Sequence, residues 1–329
     1  MPNTLALLVL IALFLLPLAD ARAEPAPLDA RTVDATVRQL DRRGGGRGGV
    51  RARGKRGWGL ALEGLWVHQL ATDLDDGGRF HVNRAALRAN VSYSPKPGMP
   101  ITLSLGYRYD GYQFRSGGVF DGAPWGDVHS LRATVPVFLP LGERWFAIGG
   151  LFVRSTVEDG ARLDDGLTAG GFAGASYRVS DRLSIGPGFG IVGELEDDPS
   201  FFPVVVVDWK ITPTLAFKTG RGLGATQGPG LFLEWTPSPR WQFSLGGRYD
   251  RNRFRLNNSG LAPGGIGQET AFALLVAAQV ALRDNLDLSA NVGTSFLGNL
   301  RLETERGDFL QSTDYDITFF VGLGINVRF

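Results

Sequence analysis

From Trp58 to Phe329 apolar side chains recur at every second position, the period of a strand and not of a helix. The last segment shows it best. Tyr315, Ile317, Phe319, Val321, Leu323, Ile325, Val327 and Phe329 fall on one face, and Asp316, Thr318, Phe320, Gly322, Gly324, Asn326 and Arg328 on the other. The alternation returns in Ile101, Leu103, Leu105, Tyr107 and Tyr109, in Trp241 to Tyr249, in Phe272 to Leu282 and in Leu286 to Phe296. A run from Tyr315 to Phe329 is long for a soluble strand, where about five or six residues is usual. It suits a strand that crosses a bilayer, which needs roughly 9–11 residues plus its ends.

The links between these segments also alternate. Short ones hold Pro95 to Gly98, Pro140 to Glu143, Ser180 to Arg182, Ile211 to Pro213, Pro237 to Pro239 and Arg283 to Asn285. Longer polar ones run from Ser116 to Gly126, Glu194 to Ser200, Gly220 to Gly230, Leu256 to Glu269 and Gly298 to Ser312. Short turns at one end and long loops at the other are what an outer-membrane barrel shows. The pattern therefore predicts an all-β chain: a single closed antiparallel transmembrane β-barrel of about 14 strands, with 12 or 16 as alternatives, short periplasmic turns and longer external loops. Trp58, Tyr93, Trp145, Tyr177, Trp209, Trp235 and Trp241 sit near the short-turn ends. They are expected to form an aromatic girdle at the headgroup level.

Composition narrows the picture. With no Cys, the chain has no disulfide scaffold, thiolate metal site or Cys nucleophile. With 34 Lys+Arg against 33 Asp+Glu, net charge gives no reason to invoke nucleic acid. The one long apolar run, Leu5 to Leu18, precedes the small-x-small triplet Ala21-Arg22-Ala23. Residues 1–23 read as a secretory signal, a retained membrane anchor being the alternative. Residues 24–57 are Gly- and Arg-rich between Arg42 and Gly57 and read as a basic flexible leader. An arm that touches an anionic partner is the other reading of that segment. The barrel is expected over 58–329.

On these features residues 58–329 resemble Gram-negative outer-membrane β-barrels of porin-like type. The terminal Ile325-Asn326-Val327-Arg328-Phe329 is similar to the C-terminal signal such barrels present to their assembly machinery. The resemblance implies a location in the outer membrane, a surrounding of its lipid and lipopolysaccharide, and barrel-assembly machinery as a partner that reads Phe329. The region Phe254-Arg255-Leu256 and the terminal Leu-Gly-x-x-x-Arg-Phe run also look like an uncharacterised family of predicted outer-membrane barrels, which supplies no activity.

Motifs for chemistry are weak. Gly188 to Gly193 matches GxGxxG but lies within a strand, so it is no dinucleotide fingerprint. His129-Ser130 looks like the start of an outer-membrane phospholipase motif, but Leu131-Arg132-Ala133 follows where Ser-Asn-Gly is expected. Acidic groups such as Asp73, Asp75 and Asp76 could hold Ca²⁺ or simply be solvated. No cofactor, metal or enzymatic activity is expected, and the oligomeric state is not readable.

Function is expected in the lumen. Arg facing lipid at mid-depth costs roughly 2–4 kcal/mol, so the charged positions are assigned inward: Arg84, Arg88, Arg108, Asp110, Arg132, Arg154, Arg178, Arg248 and Asp250, with Glu63 and Asp316 near the seam. The first expectation is a passive pore for small solutes with a basic wall that favours anions. The alternatives are a lumen plugged by ion pairs, without transport, and passage of hydrophobic solutes through a lateral opening, for which the in-strand Pro136, Pro187 and Pro203 would supply breaks.

Overall fold

A sheet with lipid on one face must close on itself, because an open edge in hydrocarbon leaves backbone N–H and C=O groups unpaired. The computed structural model describes residues 57–94, 101–115, 120, 122–220 and 230–329, and every regular element among them is a strand. In chain order these are β1 (Gly57–Asp73), β2 (Arg79–Ser94), β3 (Ile101–Arg115), β4 (Val128–Pro140), β5 (Trp145–Glu158), β6 (Leu167–Ser180), β7 (Leu183–Glu194), β8 (Asp197–Lys210), β9 (Leu215–Gly220), β10 (Gly230–Trp235), β11 (Trp241–Arg255), β12 (Ile266–Arg283), β13 (Leu286–Glu303), β14 (Phe309–Tyr315) and β15 (Thr318–Arg328). Each strand from β1 to β13 pairs antiparallel with the next; β14 and β15 pair with the outer and inner halves of β13, and β15 returns to β1. β14 and β15 are two halves of one stave, so the closed barrel has 14. The expected signal, the leader up to Arg56, the turn at Pro95 to Gly98 and the link between Gly220 and Gly230 lie outside the described residues.

The outward face is a belt of hydrocarbon. It runs, for example, through Trp58, Leu60 and Trp66 on β1, through Trp241, Leu245 and Tyr249 on β11, and through Phe319, Val321, Leu323 and Ile325 on β15, with Phe319 60% exposed. Trp241 to Tyr249 at ~3.3 Å per residue and the usual barrel tilt gives a band roughly 20–25 Å tall, a match for a bilayer core. At its short-turn edge Trp58 packs on Tyr93 and Trp145 on Tyr177, each pair with ring centroids 5.0 Å apart. These pairs follow from register, since each is directly cross-strand.

Several expectations about boundaries are corrected. Glu194 to Ser200 is no long loop: only Leu195 and Glu196 separate β7 from β8, with Glu196 in the left-handed region at φ 50°. Gly298 to Glu303 is strand, and β12 begins at Ile266 instead of after Glu269. The final face is also interrupted. Tyr315 points into the lumen, whereas Ile317 is exposed. The break between β14 and β15 changes the phase, and it leaves Asp316 exposed instead of lumenal. β13 changes phase at a bulge beside Leu297, φ 52°.

The staves are not of equal height. β9 and β10 have six residues each. β6 leaves β5 at Ser155, and among the described residues β10 pairs with β11 up to Arg248. Above those points β5 and β11 meet each other through a single parallel bridge, Val157 to Arg255. The outer end is therefore a narrower ring of β1–β5 with β11–β14, nine staves. A ring of up-and-down staves with an odd number must contain one parallel pair, and β5–β11 is that pair. β6 parts from β5 below that bridge, while the β7–β8 hairpin reaches its level. The tip of the β7–β8 hairpin leans onto the outward side of β11: Arg251 reaches Glu194 at 3.4 Å and Ser200 at 3.2 Å, Arg253 donates to the Leu195 carbonyl at 2.8 Å, and Arg255 to Glu196 at 2.6 Å.

Candidate functional site

The lumen is filled in layers. At the outer end Phe80, Tyr112, Trp125, Phe254, Leu300 and Tyr315 belong to one buried apolar cluster. Rings fit there because glycines face them across the ladder: Phe254 opposes Gly267 and Tyr315 opposes Gly298. A Cβ on Gly298 would come within 2.1 Å of the Tyr315 ring. The same pairing recurs lower down, with Phe232 over Gly246, Phe320 over Gly293 and Phe202 over Gly190. It stands where the sequence shows only abundant glycine.

Beneath the aromatic cluster lies a layer of charge. Arg84 donates to both carboxylate oxygens of Glu269 at 2.8 Å, lies 3.7 Å from Asp110, and donates to Gln69 Oε1 at 2.7 Å. Arg108 Nε donates to Asp110 at 2.8 Å, and Arg248 Nε lies 3.5 Å from Asp250. Tyr112 and Tyr315 hydroxyls donate to Glu269 at 2.5 and 3.3 Å, which ties the charge layer to the aromatic cluster above. β3 and β11 each carry an Arg-x-Asp, Arg108-x-Asp110 and Arg248-x-Asp250, so the same pair stands in this layer twice.

The remaining lumen candidates are more dispersed. Arg88 meets Glu63 at 3.1 Å. The Arg132 guanidinium lies over the Phe152 ring at 4.1 Å, and its Nε donates to Thr134. Arg154 is buried on β5. Arg178 sits at the short-turn end of β6 beside Ser184, away from the others. Lys218 donates to Glu234 at 2.7 Å. Phe329 is exposed at the rim, its backbone N–H donating to the Leu60 carbonyl at 2.8 Å. The residues that sequence reasoning missed are Gln69, Glu269 and the Arg251, Arg253, Arg255 row. The alternation pattern ends an expected loop at Glu269; in β12 the residue stands on the same inward phase as Ala271 and Ala273.

His129 and Ser130 point to opposite faces of β4. His129 Nδ1 is 2.8 Å from the Tyr107 hydroxyl, while Ser130 pairs with Thr156 at 3.0 Å in the interior. A Ser–His pair for lipid hydrolysis does not form. Two of the acidic loop groups are held by arginines, Asp73 by Arg79 and Asp164 by Arg162. Among the described residues no group of three or more His, Asp or Glu is placed to hold a metal ion.

Closed staves, an uncharged outward belt and charge confined to the lumen and the two rims define a transmembrane β-barrel of the outer-membrane type. No protein-family model matches the chain, and no curated protein matches it in sequence. Among solved structures it is similar to an outer-membrane channel from Pseudomonas putida F1, with 9% identity over 84% of this chain and 96% of that one and a TM-score of 0.47. It is also similar to the P. putida toluene transporter TodX, with 10% identity over 90% and 94% and a TM-score of 0.41, and to the KdgM porin, with 9% identity over 81% and 99% and a TM-score of 0.36. Likeness at this level says nothing of what this chain carries.

Proposed function

We propose that the chain is an outer-membrane channel for small solutes whose path leaves the lumen sideways instead of through the outer mouth. The observation that carries this reading is the change from 14 staves at the lipid belt to nine at the outer rim. The nine-stave ring is filled by aromatic side chains and capped below by ion pairs, so it offers no axial exit. Among the described residues the wall is most thinly paired at β9 and β10. There β8 pairs with β9 only from Asp208 to Lys210, and β11 has no β10 partner above Arg248 among the described residues. Pro187 keeps its place opposite Val205 in the β7–β8 ladder, while the β6–β7 ladder has no pair at Gly186 or Pro187.

Pairing of the lumen arginines with Glu269, Asp110, Asp250 and Glu63 favours passage of uncharged solutes over the anion preference expected from a basic wall. On this reading Phe329 is also the handle by which assembly machinery takes up the chain, with outer-membrane lipid around the belt.

The chain has no Cys, so one engineered pair is clean. Val157→Cys with Arg255→Cys would staple the β5–β11 bridge and lock the outer ring shut. Proteoliposomes carrying the oxidised variant are expected to take up small neutral solutes as fast as the reduced form. Loss of uptake on oxidation would show that the path is axial, and no uptake by folded wild type would remove the channel itself.

A further inference from the structure

Arg154 stands apart from the ion pairs of the lumen. It is 9% exposed. Its Nε is enclosed without a hydrogen-bond partner, and no carboxylate lies within ion-pair distance of its guanidinium among the described residues. A charge at this depth is costly unless something pairs it. Nη1 and Nη2, unlike Nε, are not enclosed. They offer their N–H groups to whatever enters from open space.

The neighbours add to the charge instead of answering it. Arg132 is directly across the β4–β5 ladder from Arg154. Like charges so placed repel, and Arg132 turns onto the Phe152 ring, one inward position nearer the short turns. Arg108, Arg251 and Glu194 are further charges that face Arg154. Arg108 is taken by Asp110, and Arg251 holds Glu194 at 3.4 Å. With those pairs closed, the charge of Arg154 is left over. On its other side Arg154 is opposite Thr168, the last inward residue of β6 to pair with β5. The unanswered charge therefore sits at the fork where the 14-stave barrel gives way to the nine-stave ring.

We propose that this fork binds a small monocarboxylate, with its two oxygens on Nη1 and Nη2 of Arg154. The planar end of a guanidinium matches the two oxygens of a carboxylate. One negative charge closes the local balance, whereas a dianion would leave one over. The site goes beyond the channel reading and stands whether or not the barrel conducts.

The test uses the full-length protein in a non-ionic detergent. Equilibrium dialysis against radiolabelled propionate is expected to show saturable binding. Nitrate, a planar monoanion, should displace the label; propionamide, which has the shape without the charge, should not. Arg154→Gln should weaken binding by roughly tenfold or more. Arg178→Gln, at the short-turn end, should leave it unchanged. A second readout is thermal. Arg154→Met keeps a long side chain but removes the charge, so without propionate it is expected to hold its folded gel mobility to a higher temperature than wild type. Propionate should raise that temperature for wild type and not for Arg154→Met. Absence of saturable binding to wild type means that water alone solvates the guanidinium and overturns the proposal. So does binding that survives Arg154→Gln, or displacement by propionamide as strong as by nitrate. If Arg154→Met melts below wild type, or neither variant folds, the charge is already answered within the chain and the proposal fails on that ground. Saturable propionate binding without liposome uptake of neutral solutes would overturn the channel and leave the site.

Discussion

At the scale of residues, the lumen is built from rings laid over glycines. Phe232 covers Gly246 so closely that a Cβ there would lie 2.0 Å from the ring and 2.9 Å from the Leu231 carbonyl. Gly246→Ala must push Phe232 out of the cluster with Leu275 and Phe320. Overpacking of this kind costs about 1–3 kcal/mol. The variant is expected to lose its folded gel mobility at a lower temperature than wild type in a heat-modifiability assay. Adding Phe232→Leu should restore part of the difference, because the ring is the obstacle. None of this is visible in the sequence. The lipid penalty on arginine was enough to turn Arg84, Arg108 and Arg248 inward, but not to find their partners. Arg84 and Glu269 are 185 residues apart, and no local pattern links residues at that distance. Gln69 was hidden for a second reason: an uncharged polar residue on an inward phase looks like any other lumen position until its neighbour fixes which way its amide points.

At the scale of elements, alternation identified the strands because side chains facing lipid and lumen differ so sharply in polarity. It failed where that contrast fades. Above the belt both faces of a stave are wet or packed against protein, so the outer parts of β7, β8, β12 and β13 read as loop. The outward row Arg251, Arg253, Arg255 belongs to this zone. It follows directly on outward Tyr249, and a lipid-facing assignment would have been expensive. Its role is to hold the hairpin tip. Arg253 is the anchor: it is buried, donates twice to the Leu195 carbonyl at 2.8 and 3.1 Å, and donates to Glu303 at 2.5 Å. Removing one partner of a buried charge pair costs ~3–5 kcal/mol. Arg253→Ala is therefore expected to free the β7–β8 tip while the ring itself survives. Hydrogen exchange should quicken at Phe201 to Val207, which follow that tip along β8 and have no ladder partner on β9 among the described residues. Amides of β2 and β3, paired on both sides, should keep their protection. Equal acceleration in both regions would show that Arg253 supports the barrel as a whole.

At the scale of the molecule, closure was legible and the change of circumference was not. An even count of staves, with both ends of the barrel on the short-turn side, follows from alternating short and long links. A second, odd ring above the first depends on where β6 parts from β5 and β5 meets β11, which is a property of three-dimensional packing. The same asymmetry bears on assembly. β1 and β15 close the barrel along a ladder from Ala61–Arg328 to Gln69–Phe320. Phe329 lies just beyond it, 73% exposed, and adds one backbone bond to Leu60. One such bond contributes only about 0.5–1.5 kcal/mol, so the ring contributes little to the stability of the finished barrel. If Phe329 serves as a handle for assembly machinery, its removal should separate two measurements. Refolding of the shortened chain into detergent should give a barrel that melts close to wild type, because the closing ladder is intact. In cells the same chain should reach the outer membrane in much smaller amounts, with the remainder degraded in the periplasm. Equal amounts in the membrane would show that Phe329 is an ordinary rim aromatic, and a large loss of stability in detergent would place its role in the ladder.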